Sequence, residues 1–272
     1  MIDSVSYSSL FVEMYFEGKL LANATAFIAK RNERYFLLTN WHNVTGRDPN
    51  TQKCLNKQAS VPDEIKVFYN KMGSLGEYEP ITHPLQKDDK NTWFEHPTLK
   101  EKCDFVAFEI PRNDKISLEY FHKIEDSNHE LDLKPSDIVS VVGFPFGKKS
   151  ENNVAIWVTG FIATDIEINY QDLPMFLIDC RTKKGQSGSP VLLYRNRGVL
   201  PLKGYTWLPP SVYHEFLGIY SGRIPEISTL QASNENCIDC GKSIACECKK
   251  IPNTDIGMVW KKQAICELLD SI

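Results

Sequence analysis

Short apolar runs broken by polar turns recur along almost the whole chain, and helical spacing shows only at its end. Ser9-Leu10-Phe11-Val12-Glu13-Met14-Tyr15-Phe16 reads as a first strand, ended by Gly18. Leu21 to Lys30 reads as a second, and the polar Arg31-Asn32-Glu33-Arg34 turns the chain into the apolar run Tyr35-Phe36-Leu37-Leu38-Thr39-Asn40-Trp41. Residues 46 to 64 form a polar loop before a strand at Ile65 to Tyr69. Residues 71 to 103, rich in Pro, Lys and Asp, are expected as a surface excursion holding a strand or two. Asp104-Phe105-Val106-Ala107-Phe108-Glu109-Ile110 follows, closed by Pro111, and residues 112 to 136 link it to a second series, with Ile116 to Phe121 as a short helix or strand. That series runs Asp137 to Val142, Val154 to Ile162, Ile166 to Tyr170, Met175 to Cys180 and Val191 to Tyr194, with an insertion from Arg195 to Pro210 after it. Val259 to Leu269 carries apolar residues at helical spacing. Many short strands and one terminal helix predict an all-β protein.

At 272 residues the chain is one large domain or two small ones, with a substantial core either way. A net charge of −4 gives no reason to invoke nucleic acid or a membrane surface. No uninterrupted apolar stretch is long enough to span a bilayer, and Met1-Ile2-Asp3-Ser4-Val5-Ser6 does not read as a signal peptide. The eight cysteines then read as thiols in a reducing compartment, which predicts a cytoplasmic location and leaves the sequon-like Asn43-Val44-Thr45 without meaning.

Gly185-Gln186-Ser187-Gly188-Ser189-Pro190 joins two strand-like runs. A glycine after the serine and another two residues before it let the backbone aim its N–H groups at one point while the hydroxyl stays exposed. An acyl-transfer nucleophile needs that arrangement; a Gly/Ser turn between strands is the plainer reading. A serine needs a base to take its proton. Five of the six histidines (His83, His96, His122, His129, His214) lie in polar or Pro-containing surroundings, whereas His42 ends the apolar run from Tyr35. The histidine needs a carboxylate to fix its tautomer, and Asp104 stands at a strand boundary.

Leu37 to His42, Asp104 to Phe108 and Gly185 to Pro190 together resemble the three catalytic motifs of chymotrypsin-like (trypsin-like) serine peptidases, in that family's order. Val141-Val142-Gly143-Phe144-Pro145-Phe146-Gly147 resembles a turn of the bacterial HtrA-type branch, and Leu217 to Gly222 is similar to the strand that walls the substrate pocket. The resemblance implies two packed six-stranded antiparallel β-barrels with a C-terminal helix. Residues 1–125 would carry His42 and Asp104; residues 126–272 would carry Ser187, with a Cys-rich insertion at about 232–252. It implies a serine endopeptidase that hydrolyses polypeptide substrates through an acyl-enzyme, with no cofactor for catalysis. Ser187 would be the nucleophile, His42 the general base and then acid, Asp104 the orienting group, and Ser221 a partner of Asp104. The N–H groups of Gly185 and Ser187 would form the oxyanion hole. A catalytically silent binding module on the same fold is the alternative, and a regulatory protein partner is compatible with either.

The chain departs from the family in three places. Ala24-Thr25-Ala26 replaces the usual Gly-Ser-Gly or Gly-Thr-Gly, which suggests slightly wider packing. Gln186 replaces an aspartate that in secreted relatives pairs with a newly cut N-terminus, so self-cleavage is not the expected switch. Ser189 replaces a glycine. The resemblance also puts Arg181 and Tyr220-Ser221-Gly222-Arg223 around the pocket for the residue before the scissile bond. Guanidinium groups there would favour a carboxylate; the alternatives are arginines turned to solvent, or a shallow pocket for small apolar side chains.

Cys237-Ile238-Asp239-Cys240-Gly241-Lys242 has the form of a zinc knuckle, and Cys246-Glu247-Cys248 follows closely. Cys237, Cys240, Cys246 and Cys248 would make a closed tetrahedral thiolate set holding a structural zinc; free or redox-active thiols and disulfides are the other readings. Cys54, Cys103, Cys180 and Cys266 sit beside apolar residues and read as buried small hydrophobes.

Overall fold

In a computed structural model, residues 2–56, 59–111, 113–125, 131–150, 154–196, 198–209, 212–225 and 253–272 are described. In the first half, β1 (Ser9–Phe16), β2 (Lys19–Arg31) and β3 (Arg34–Thr39) form an antiparallel meander, and the short helix α1 (Trp41–Thr45) follows directly. β4 (Glu64–Lys71) and β5 (Ser74–Pro84) make a long hairpin, and β6 (Gln86–Lys87) and β7 (Lys90–Asn91) a small one. β8 (Val106–Glu109) and β9 (His122–Lys123) complete the half. The hydrogen-bonded order is β5-β4-β1-β2-β3-β8, with β9 joining β2 in parallel.

Among the described residues the first half is a seven-stranded sheet, where a closed six-stranded barrel was expected. Phe94 and Ala107 exchange backbone hydrogen bonds of 2.8 and 3.1 Å, so the excursion before Asp104 takes the outer edge of β8. Residues 116 to 121 hold neither helix nor strand; Ser117 N–H instead donates to Asn70 O at the end of β4.

The second half is a closed barrel. β10 (Ile138–Gly143), β11 (Ile156–Ile162), β12 (Met175–Asp179), β13 (Pro190–Arg195), β16 (Tyr213–Pro225) and β17 (Asn253–Lys261) close in the order β10-β11-β12-β17-β16-β13. Residues 166 to 170 are not the expected strand: left-handed Gln171 and Asp172 make a turn there, held by a Tyr170–Leu173 bridge. The insertion after Tyr194 contains a small hairpin, β14 (Leu200–Leu202) with β15 (Tyr205–Trp207).

Each half fills its sheet with alternating aliphatic residues, and a third cluster lies between the halves. There Phe27 meets Phe216, and Phe105 meets Trp260 edge-on at 5.8 Å. The terminal helix α2 (Lys262–Asp270) buries Ala264, Ile265, Leu268 and Leu269 in the same cluster, and Asp270 pairs with Arg31 of β2. Together these contacts clamp the second half's last helix to the first half's sheet. No described helix is long and apolar enough to cross a membrane.

Candidate active site

His42 sits in the first turn of α1, three residues past the end of β3, so the strand fixes where its ring emerges. Its Nδ1 lies 2.8 and 2.9 Å from the two carboxylate oxygens of Asp104, and its backbone N–H donates to Oδ1 at 3.0 Å. A carboxylate only accepts, so Nδ1 carries the proton and Nε2 is left with its lone pair. Asp104 is 1% exposed and accepts a further bond from the Ser221 hydroxyl, while Asn40 Nδ2 holds its backbone carbonyl. Burial alone would push the His42 imidazole down, but the charge and hydrogen bond of Asp104, with help from Asp48, outweigh it and the net shift is upward.

The turn that carries Ser187 is shaped carbonyl by carbonyl. Phe146 N–H donates to Lys184 O at 2.6 Å, Thr25 Oγ1 to Gly185 O at 2.8 Å, Ser189 N–H to Gln186 O at 3.0 Å and Thr25 N–H to Ser187 O at 2.9 Å. In a trans peptide the N–H points away from the preceding C=O, so holding Lys184 O and Gln186 O aims the Gly185 and Ser187 amides the other way. Among the described residues neither amide has a partner, whereas Gln186 N–H is taken by Lys183 O. Gly185 has φ +94°, and a Cβ there would lie 2.4 Å from Phe144 O. At Gly188 (φ +84°) a Cβ would lie 2.1 Å from Thr25 O. Both positions exclude a side chain. Gln186 closes the turn by accepting Lys183 N–H at Oε1, 2.8 Å away.

Ser187 is half-buried and shares a cavity of about 390 Å³ with His42 and Gly185. No hydrogen bond joins the Ser187 and His42 side chains among the described residues. The cavity extends away from the residues expected to form a pocket, toward Met14, Leu21, Leu55 and Pro62 of the first half.

Of those expected residues, Ser221 binds Asp104 and Gly222 has open space where a Cβ would stand. Tyr220 is 3% exposed; its ring packs in the barrel interior, and its hydroxyl bonds Thr182 Oγ1. The Tyr220 ring therefore fills space instead of walling it. Arg181 and Arg223 both turn to Asp255, at 3.7 and 3.5 Å, and the Arg181 side chain is 85% exposed. That one carboxylate faces both guanidinium groups and leaves the three side chains with one positive charge in excess. Beyond Tyr220, β16 pairs only with β17 among the described residues, which leaves the other edge of Ser221 to Arg223 open.

Sequence reasoning missed Thr25 and Asp255. Ala24-Thr25-Ala26 reads as a packing variation, yet Thr25 is fully buried and also accepts Phe144 N–H at 3.1 Å. Asp255 belongs to no local motif. Cys237, Cys240, Cys246 and Cys248 lie outside the described residues; among those described, no group of His, Cys, Asp or Glu could hold a metal. Cys103 and Cys180 are buried as expected, but Cys54 and Cys266 are only partly so.

A comparison with curated proteins finds no match. Among solved structures, the chain is similar to a serine endoprotease from Yersinia pestis (TM-score 0.50, 12% identity), covering 98% of this chain and 62% of that one. It is also similar to a thermostable serine protease from an extremophilic microorganism (TM-score 0.50, 10% identity), covering 99% and 98%. At such identities the likeness concerns the fold. The family described as trypsin-like peptidase domain matches residues 24–199, a stretch that contains His42, Asp104 and the whole turn from Gly185 to Pro190. With that match over more than half its length, the chain belongs to the trypsin-like peptidase domain family.

Proposed function

We propose that the chain is a serine endopeptidase working through an acyl-enzyme. Ser187 attacks the scissile carbonyl, His42 Nε2 takes its proton and returns it to the leaving amine, and Asp104 holds the ring and steadies the imidazolium. The Gly185 and Ser187 amides receive the oxyanion. The observation that carries this reading is the turn at Ser187: the carbonyls of residues 184 to 187 are engaged while, among the described residues, those two amides have no partner. An extended polypeptide fits the open edge of β16 at Ser221 to Arg223. The looser Ser187–His42 geometry is common before substrate binds.

A fluorophosphonate probe should label Ser187 stoichiometrically, and Ser187→Ala should abolish turnover. Folded protein that resists the probe would make the chain a silent binding module. We also place its work in a reducing, cytoplasmic setting, since Cys54, Cys103 and Cys180 form no disulfide among the described residues; thiol trapping during cell lysis would show whether they are reduced in place.

A further inference from the structure

We propose that this peptidase selects its substrates by the residue after the scissile bond, accepting a large apolar side chain in the cavity between the nucleophile turn and the first half. The proposal rests on the peptidase reading above. His42 must hand its proton to the leaving amine, so the leaving residue lies on the His42 side of Ser187. His42, Asn43 and Gly46 line the cavity on that side. Its volume, about 390 Å³, is in the range of sites that engulf a small ligand. Met14, Leu21, Leu55 and Pro62 supply apolar walls, and Met14 is anchored in β1 at 5% exposure.

Gly46 lies against Pro62, where a Cβ would come within 2.7 Å, so α1 and the far wall are in firm contact. Leu55 is 56% exposed at the rim, an apolar side chain that a substrate would cover. Among the described residues no carboxylate lines the cavity, and Lys184, an exposed lining residue, repels a basic side chain. On the acyl side, by contrast, the Tyr220 ring belongs to the barrel core and Asp255 draws both arginines toward itself. The cavity that adjoins Ser187 therefore offers its apolar walls to the residue beyond the cut.

The test is digestion of a proteome-derived peptide library, with cut sites read on both sides. Leu, Ile, Met and Phe should be enriched about tenfold over Gly or Lys at the first position after the cut. In Leu55→Asp that enrichment should fall and Lys or Arg should gain, while the distribution before the cut keeps its shape. Cleavage with a flat profile after the cut, or a profile that Leu55→Asp leaves unchanged, overturns this inference alone. No cleavage together with no fluorophosphonate labelling of Ser187 overturns the catalytic reading and this one with it.

Discussion

Replacing Thr25 with valine keeps the shape of a fully buried side chain and removes its hydroxyl. Two bonds go with it: the one donated to Gly185 O at 2.8 Å and the one accepted from Phe144 N–H at 3.1 Å. Each leaves a buried backbone group without a partner, at about 1–3 kcal/mol apiece, so Thr25→Val should lose roughly 2–6 kcal/mol of stability. The freed Gly185 carbonyl also lets the adjoining peptides rotate, which blurs the aim of the Gly185 and Ser187 amides. Losing one such donor lowers kcat by about 10²–10³ in comparable sites, and Thr25→Val should approach that range with KM little changed. Thr25→Ser keeps the hydroxyl and should restore most of the rate. The assay pairs steady-state kinetics on a fluorogenic peptide with binding of a peptide aldehyde, whose adduct places an oxyanion in the same spot. A destabilised Thr25→Val whose folded fraction keeps kcat within twofold and binds the aldehyde normally would refute the positioning role.

Three further outcomes are expected. Activity should rise with pH through a value above the ordinary imidazole range, since His42 must be neutral and Asp104 raises it; Asp104→Asn should move that limb down and cut kcat about 10⁴-fold. The protonated His42–Asp104 pair stabilises the fold below the unfolded imidazole value, and that stabilisation is lost as pH rises through the raised folded one. His122 is buried against Ser8, and burial, aided by His214, pushes its imidazole down to about 3. The unfolded chain therefore binds the extra proton between about pH 6.5 and 3, and acid denaturation should remove about 5 kcal/mol there that His122→Gln does not lose. Asp255→Asn should free Arg181 and Arg223 and raise cleavage after Asp or Glu by up to about fivefold in a library profile; an unchanged profile would show that the arginines face elsewhere.

The strands were legible where alternation is local: β1 spans Ser9 to Phe16 as the apolar pattern predicts. Asp104 and His42 were legible because each stands at the end of an apolar run. The expected strand at Ile166 to Tyr170 failed because its alternation is outweighed by the left-handed pair Gln171-Asp172 that turns the chain. The partner at the edge of β8 could not be read, since it is Phe94, from a segment without periodicity. The surroundings of Ser187 were the least legible. Thr25 and Gly185 are 160 residues apart, and Asp255 meets Arg181 only because β17 pairs with β12. A short motif specifies a turn, but the partners that set its carbonyls come from elsewhere in the chain.

That borrowed support has a consequence for the life of the molecule. The loop bearing Ser187 takes two of its four carbonyl anchors from Thr25, a residue of the opposite half. During synthesis the first half emerges earlier, and the second acquires its working shape only when the two dock. A chain that is nicked, half-melted or caught before docking loses those anchors and with them the aim of its two amides. A hydrolase that could attack its neighbours is thus inert whenever it is misassembled. Damage produces a silent protein, not an indiscriminate one.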